Sequence, residues 1–134
     1  MKDLLKQIIL EQHETQHVSR THFVQRHIAD EWLETTEILI ISGIRRCGKS
    51  VLMQQIRDRL QEKDFFFNFD DERLAHFKLD NFQTLQECFV ELYGDQHTYY
   101  FDEIQNIEGW ERFVRRLYNA GNKIIITGSN ARML

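Results

Sequence analysis

The chain of 134 residues contains no proline and only two cysteines, Cys47 and Cys88. Two cysteines cannot build the disulfide framework of a small secreted domain, so we expect a reduced protein in the cytoplasm. Long apolar runs are also absent, since none approaches the roughly 20 residues that a membrane-spanning helix needs. The first residues are too polar for a signal peptide, and the sequence therefore predicts no association with a membrane.

An excess of positive charge is missing as well. The chain carries 17 lysines and arginines against 21 acidic residues, which gives a formal net charge of −4 at pH 7. This balance provides no bulk electrostatic attraction for nucleic acid. A composition of 42% hydrophobic and 28% charged residues is typical of a globular protein with one core.

The most informative stretch is residues 38–50, with the sequence ILIISGIRRCGKS. Its apolar start predicts a strand, and the periodic apolar residues that follow predict a helix. Gly43 and Gly48 have the spacing of a phosphate-binding loop, in which backbone N–H groups converge on an anion where a helix begins. We favour this interpretation over an ordinary glycine-containing turn between a strand and a helix. We expect Lys49 to reach the outer phosphates of a nucleotide and Ser50 to hold Mg²⁺. The predicted nucleotide-binding residues are Gly43, Ile44, Arg45, Arg46, Cys47, Gly48, Lys49, Ser50 and Val51.

A second stretch, TYYFDE at residues 98–103, predicts a strand that ends in two acids. At that position we expect Asp102 to hold Mg²⁺ and Glu103 to act as the general base that takes a proton from water. A third stretch, IIITGSN at residues 124–130, predicts another strand followed by polar residues. A polar side chain there could contact the γ-phosphate or orient water, and a simple turn is the equal alternative.

The remaining pattern predicts alternating helices and strands. Phe65–Phe69 is almost continuously apolar, which is typical of a strand buried on both faces of a parallel sheet. Asp80 is a plausible N-cap, and Gly94 is expected to end the helix that follows. Predicted helices cover about residues 1–16, 20–33, 51–62, 81–93 and 109–120, and predicted strands cover 38–41, 65–69, 98–101 and 124–126.

A competing motif lies near the start of the chain. His13, Glu14 and His17 have the H-E-x-x-H spacing of zinc peptidases, in which two histidines bind zinc and the glutamate activates water. A catalytic zinc site needs three protein ligands, and the next recognised positions hold Arg20 and Phe23. We therefore favour a polar helix face that carries two incidental histidines.

Three stretches together, GIRRCGKS, YYFDEIQNIEGWE and IIITGSNAR, resemble the N-terminal domain of prokaryotic AAA+-type ATPases of uncharacterised function. In that family a further conserved C-terminal region follows. The resemblance covers about residues 20–134 and implies a P-loop NTPase fold of three layers, α/β/α, with a parallel sheet in the strand order 1-4-3-2. It also implies roles by position: Lys49 and Ser50 match the Walker A motif, Asp102 and Glu103 match the Walker B acids, and Asn130 matches the sensor.

The chain departs from this family by ending at Leu134, just after the sensor strand. We therefore expect an N-terminal helical segment at residues 1–34 and an incomplete P-loop core at residues 35–134, without the fifth strand and the helical lid. The first strand would then be an exposed apolar edge, to be covered by the N-terminal helices, a second copy or another protein.

Together these observations predict a domain that binds ATP with Mg²⁺ and hydrolyses it in the complete protein. The resemblance implies that hydrolysis drives a conformational change. A P-loop kinase acting on a small molecule is one alternative, although a base for water beside the Mg²⁺ ligand argues against it. A non-catalytic nucleotide-binding or assembly module is the other alternative, favoured by the missing lid.

Overall fold

A sheet of four parallel strands, in the order β1-β4-β3-β2, forms the centre of the structure. The computed structural model describes residues 1–19, 28–43 and 48–129. The observed α/β architecture and strand order confirm the expectation from the sequence. The strands are β1 (Leu39–Gly43), β2 (Phe65–Asn68), β3 (Thr98–Asp102) and β4 (Lys123–Ser129).

Helices cover both faces of this sheet, and short 3-10 turns follow β2 and β3. Each of the longer helices turns an apolar stripe inward; in the last helix the stripe consists of Trp110, Phe113, Val114 and Leu117, all buried. The helices are α1 (Lys2–Ser19), α2 (Asp30–Glu34), α3 (Lys49–Leu60), α4 (Asn81–Tyr93) and α5 (Trp110–Asn119), and the 3-10 turns are Glu72–Leu74 and Ile104–Asn106.

Alternation along the strands divides the core into two clusters, one on each face. Phe65 and Phe67 point into a large aromatic cluster with α1, α4 and α5, whereas Phe66 between them points into a smaller cluster with α3. Tyr100 and Ile125 join Phe66 on the α3 face. This burial on both faces explains why β2 and β3 are almost continuously apolar.

Helix α1 packs against α4 and β2, at the edge of the sheet opposite β1. Leu5, Ile8 and Ile9 are buried in the aromatic cluster. The side-chain amide of Gln12 donates to the carbonyl oxygen of Asn68 at 2.9 Å and accepts from its N–H at 2.9 Å, as a neighbouring strand would. The first strand is an exposed edge as expected, and Ile40 on it is 47% exposed.

Two expectations about helix boundaries are wrong. The helix predicted over residues 20–33 does not run through residues 28 and 29, since Ala29 has extended backbone angles and α2 begins at Asp30; residues 20–27 lie outside the described part. Asp80 does not cap α4 with its side chain, because its own backbone is already helical, with φ −64° and ψ −22°. The Asn81 side chain instead accepts from the N–H of Lys78 at 2.9 Å.

None of the described helices combines the length and the apolar character needed to cross a membrane.

Candidate active site

The carboxyl ends of the strands bring the polar residues predicted from the sequence to one edge of the sheet. Asp102 ends β3, Glu103 follows it, and Thr127 lies near the end of β4. Lys49 and Ser50 open α3, the helix that follows β1 in the chain. Parallel α/β sheets bind ligands at this edge because loops and helix N-termini converge there.

Asp102 is held between two hydroxyl groups. Ser50 Oγ donates to Asp102 Oδ2 at 2.8 Å, and Thr127 Oγ1 donates to Asp102 Oδ1. Asp102 is only 2% exposed, and this burial raises the pKa of its carboxyl group above the usual value. The two hydroxyl bonds and the charge of Lys49 act in the opposite direction without cancelling the effect of burial, and the charge of Glu103 raises the pKa further. A cation beside this carboxylate would therefore relieve an unfavourable charge.

Lys49 and Glu103 form a buried ion pair. Lys49 Nζ lies 3.2 Å from Glu103 Oε1, and the two side chains are 4% and 9% exposed. Lys49 Nζ also donates to the carbonyl oxygen of Gly43 at 3.1 Å. Each charge compensates the other in a site from which water is largely excluded, so removing one partner would leave the other buried and unpaired.

Glu103 has a left-handed backbone conformation, with φ 54° and ψ 42°. Such a conformation costs a non-glycine residue about 1–3 kcal/mol and persists only where its surroundings hold it. Here the N–H of Glu103 donates to Thr127 Oγ1 at 3.0 Å, and Gln105 Nε2 donates to Glu103 Oε2 at 2.6 Å. The hydroxyl of Thr127 thus connects both acids, since it accepts from one residue and donates to the other.

Sequence reasoning missed the roles of Thr127 and Gln105. Thr127 is fully buried at the end of an apolar run, and Gln105 is 7% exposed in the 3-10 turn after Glu103. A buried hydroxyl or amide must find hydrogen-bond partners, so a polar residue placed inside an otherwise apolar strand and turn was the available signal.

Helix α3 begins with its N-terminus at the same edge. Gly48 precedes it in a left-handed conformation, with φ 92° and ψ 16°, which glycine adopts without a steric penalty. The first hydrogen bond of the helix runs from the N–H of Leu52 to the carbonyl oxygen of Gly48. The N–H groups of Lys49, Ser50 and Val51 precede this bond and belong to the first turn, whose N–H groups have no acceptor within the helix. This end of the helix therefore favours an anion.

Several predicted residues lie outside the described part of the chain: Ile44, Arg45, Arg46, Cys47 and Asn130. Of the zinc-like motif, the ring of His13 lies 5.9 Å from that of Tyr93, and the side chain of His17 is not among those described. Within residues 1–19, 28–43 and 48–129, no group of three or more His, Cys, Asp or Glu side chains could hold a metal ion. A Mg²⁺ ion bound with a nucleotide needs fewer, because phosphate and water complete its coordination.

A cavity of about 660 Å³ lies elsewhere, beside the N-terminal end of β2. Three of the charged residues that line it already have partners: Arg57 forms an ion pair with Asp64 at 2.7 Å, and Glu62 accepts from Thr98 at 2.8 Å. Its size does not make it the better candidate, because the cluster of Lys49, Ser50, Asp102 and Glu103 has the chemistry that a metal–phosphate group requires.

The chain is similar to three uncharacterised proteins of much greater length. It is 34% identical to the protein MJ1544 of Methanocaldococcus jannaschii over 99% of this chain and 30% of the relative, and 38% identical to a Haemophilus influenzae protein over 87% and 31%. A third relative, MJ1637 of M. jannaschii, is 31% identical over 78% of this chain and 24% of its own length. The chain therefore spans less than a third of each relative.

No solved structure matches the chain. A family model described as an AAA domain matches residues 35–134, which include β1 to β4, α3 and every residue of the candidate site. This match covers β1, Gly48 and α3 together with Asp102 at the end of β3 and Glu103 directly after it. The chain belongs to the AAA domain family, whose members suggest nucleotide binding and ATPase-like activity.

Proposed function

We propose that the chain binds ATP together with Mg²⁺ at the carboxyl edge of the sheet and that the protein containing it hydrolyses the nucleotide. The observation that carries this proposal is the 2.8 Å hydrogen bond between Ser50 and Asp102 beside the buried Lys49, at the N-terminus of α3. Ser50 and Asp102 offer two oxygen atoms that suit a metal ion. The Lys49 ammonium and the first N–H groups of α3 lie beside them and suit phosphate.

Ser50 and Asp102 fit Mg²⁺ because both offer oxygen atoms, the ligands that this ion prefers. The raised pKa of Asp102 supports the assignment, since a bound cation would stabilise the ionised form that burial disfavours. Bound Mg²⁺–ATP supplies the phosphoryl group to be transferred and neutralises part of its charge.

Lys49 and the loop would hold the phosphates. Lys49 Nζ serves as a point charge for the outer phosphates, and to do so it exchanges its bond to Glu103 for one to the ligand. The amides of residues 43–51 form the remainder of the proposed anion site. Asn130, after the end of β4, is proposed to contact the γ-phosphate or to orient water.

Glu103 is proposed as the general base. Its carboxylate would orient a water molecule and take its proton onto Oε1 or Oε2. Placing a base for water next to the proposed Mg²⁺ ligand supports hydrolysis over transfer to another acceptor.

What hydrolysis would be used for is a separate part of this proposal. We propose that it drives a conformational change, that a second copy or another protein covers the exposed β1 edge, and that the protein works in the cytoplasm. The buried free thiol of Cys88 is compatible with a reducing compartment.

The test of this proposal is the release of phosphate from ATP, measured with and without Mg²⁺. The assay is done on this chain and on any longer protein that contains it. We expect Glu103→Gln to lower kcat by about 10²–10⁴-fold, because the base is lost while the shape is kept. Glu108→Gln, which changes an exposed glutamate after the same strand, should retain full activity.

Equal phosphate release by wild type and Glu103→Gln would contradict the role of the base. Nucleotide binding without release in the longer protein would support a non-catalytic module instead. Transfer of labelled phosphate only in the presence of a small-molecule acceptor would support a kinase.

A further inference from the structure

Gln105 is buried at the carboxyl edge of the sheet, beside the candidate active site, and has no role in the function proposed above. It is 7% exposed and lies in the 3-10 turn Ile104–Asn106, directly after Glu103. A long, flexible glutamine side chain loses considerable rotamer freedom on burial, so its hydrogen bonds must offset that cost. Its contacts are therefore informative about what this turn does.

Gln105 and Lys49 contact different oxygen atoms of the Glu103 carboxylate. Gln105 Nε2 lies 2.6 Å from Glu103 Oε2, whereas Lys49 Nζ lies 3.2 Å from the other oxygen, Oε1. The two oxygens of the carboxylate are thus held by two different donors. If Lys49 turns to a phosphate, the bond from Gln105 still fixes the orientation of Glu103.

The other end of the same amide has no partner. Gln105 Oε1 is buried and accepts no hydrogen bond from any of the described residues. A buried acceptor without a partner loses its hydrogen bonds to water and gains none in return, and native structures keep few such atoms. Exchanging the amide oxygen and nitrogen would not remove the cost, because it would place an acceptor against the carboxylate of Glu103.

We infer that Gln105 is a positioning residue for the proposed hydrolysis: its Nε2 holds the Glu103 carboxylate in place, and its Oε1 accepts a hydrogen bond from the water that Glu103 activates. This inference rests on the proposed function. An uncharged amide suits the task because it donates to a carboxylate and accepts from water without adding a charge that would compete with Lys49.

The activity test compares Gln105→Met with wild type. Methionine keeps the approximate length of the side chain and removes both the donor nitrogen and the acceptor oxygen of the amide. We expect kcat to fall by about 10- to 100-fold while the Kd for Mg²⁺–ATP changes less than about twofold, since Gln105 acts on the chemical step rather than on binding.

The matched control is Asn106→Ala, in the same turn. Asn106 Oδ1 accepts from Gln105 Nε2 at 3.3 Å, and Asn106 Nδ2 donates to the carbonyl oxygen of Phe69 at 3.4 Å. This variant removes the longer contacts but leaves the bond to Glu103, so kcat should change less than about threefold. An equal loss in both variants would show that the turn itself matters, and would overturn the inference.

A double variant distinguishes action through Glu103 from a general structural effect. In the Glu103→Gln background, adding Gln105→Met should change kcat less than about twofold, because the group that Gln105 positions is already disabled. A full additional loss would show that Gln105 acts independently of Glu103.

A measurement without activity completes the test. In the chain labelled with ¹⁵N glutamine, the side-chain amide resonance of Gln105 is assigned by its loss in Gln105→Met. It should move clearly in Glu103→Ala and stay in place in Glu108→Ala, and an unmoved resonance in Glu103→Ala would overturn the inference whatever the activity.

The failures are distinguishable. Absence of hydrolysis in wild type overturns the proposed function and this inference with it. Hydrolysis by wild type that Gln105→Met matches overturns the role of Gln105 alone.

Discussion

The burial of Asp102, a proposed Mg²⁺ ligand, lowers the stability of the folded state near neutral pH. Its carboxyl group is almost fully enclosed, and two hydroxyl donors only partly offset the effect of burial on its pKa. Because the folded state raises this pKa above the usual 3.8, the folded protein holds the proton more tightly than the unfolded chain. The contribution of Asp102 to stability is therefore fully present below that usual value and is lost as pH rises through the raised pKa.

Asp102→Asn should accordingly be more stable than wild type near neutral pH in the absence of Mg²⁺. The amide keeps the shape, and the Ser50 hydroxyl can turn to accept a bond from it. Urea unfolding across a pH series should show a higher midpoint for the variant, and the difference should shrink as pH falls through the raised pKa of Asp102 towards 3.8.

The control for this experiment is Asp80→Asn, a change at an exposed carboxylate that makes no capping bond. Its midpoint should stay within the range of ordinary surface changes, about 0.5 kcal/mol. A midpoint for Asp102→Asn below that of wild type at neutral pH would show that the ionised carboxylate stabilises the fold.

At the scale of single elements, the position of α1 is the feature that the sequence left open. Its apolar stripe predicts an amphipathic helix, but a stripe does not say which surface it will cover. The structure places it on the β2 edge, where the amide of Gln12 bonds to both backbone groups of Asn68. A helix in this position protects an edge that would otherwise offer free backbone groups to another strand.

Gln12→Ala should therefore destabilise the protein by about 1–2 kcal/mol, because two hydrogen bonds are lost at a partly buried strand edge. Gln7→Ala is the matched control, since Gln7 lies on the exposed side of the same helix and its side chain, among the described residues, bonds to the Glu11 side chain at 3.1 Å. Its cost should stay below about 0.5 kcal/mol.

Chemical denaturation of the two variants measures the difference directly. Equal effects of Gln12→Ala and Gln7→Ala would contradict the view that the side chain completes the sheet edge.

Sequence patterns predicted the strands and most helices, because buried parallel strands and amphipathic helices have distinct periodicities. The strand order came from the resemblance to AAA+-type ATPases, since periodicity does not say which strands are neighbours. Lys49, Ser50, Asp102 and Glu103 were predicted and lie together. Thr127 was not assigned, because its partners belong to another strand and its hydroxyl is inconspicuous at the end of an apolar run. Such non-local hydrogen bonds depend on the folded register of β3 and β4, which no local pattern contains.

For the whole molecule, the two edges of the sheet differ. The β2 edge is covered by α1, whereas β1 presents exposed Ile40 beside a groove of about 410 Å³ that also contains Trp110 and Tyr118. The relatives are more than three times as long as the part this chain matches. The division into residues 1–34 and 35–134 and the covering of the β1 edge remain predictions.

The central claim is that this edge of the sheet binds the phosphates of a nucleotide. Titration calorimetry with ATP and Mg²⁺ tests it most directly, comparing wild type with Lys49→Ala and with Lys63→Ala, an exposed lysine beyond the other end of α3. Circular dichroism confirms that each variant is folded, which matters because Lys49 is paired with Glu103 in the interior.

The account predicts that wild type and Lys63→Ala bind Mg²⁺–ATP with the same affinity and that Lys49→Ala loses binding by at least about tenfold, since a buried charge at the start of a helix is removed. Equal binding by folded Lys49→Ala, or no binding by wild type, would contradict it.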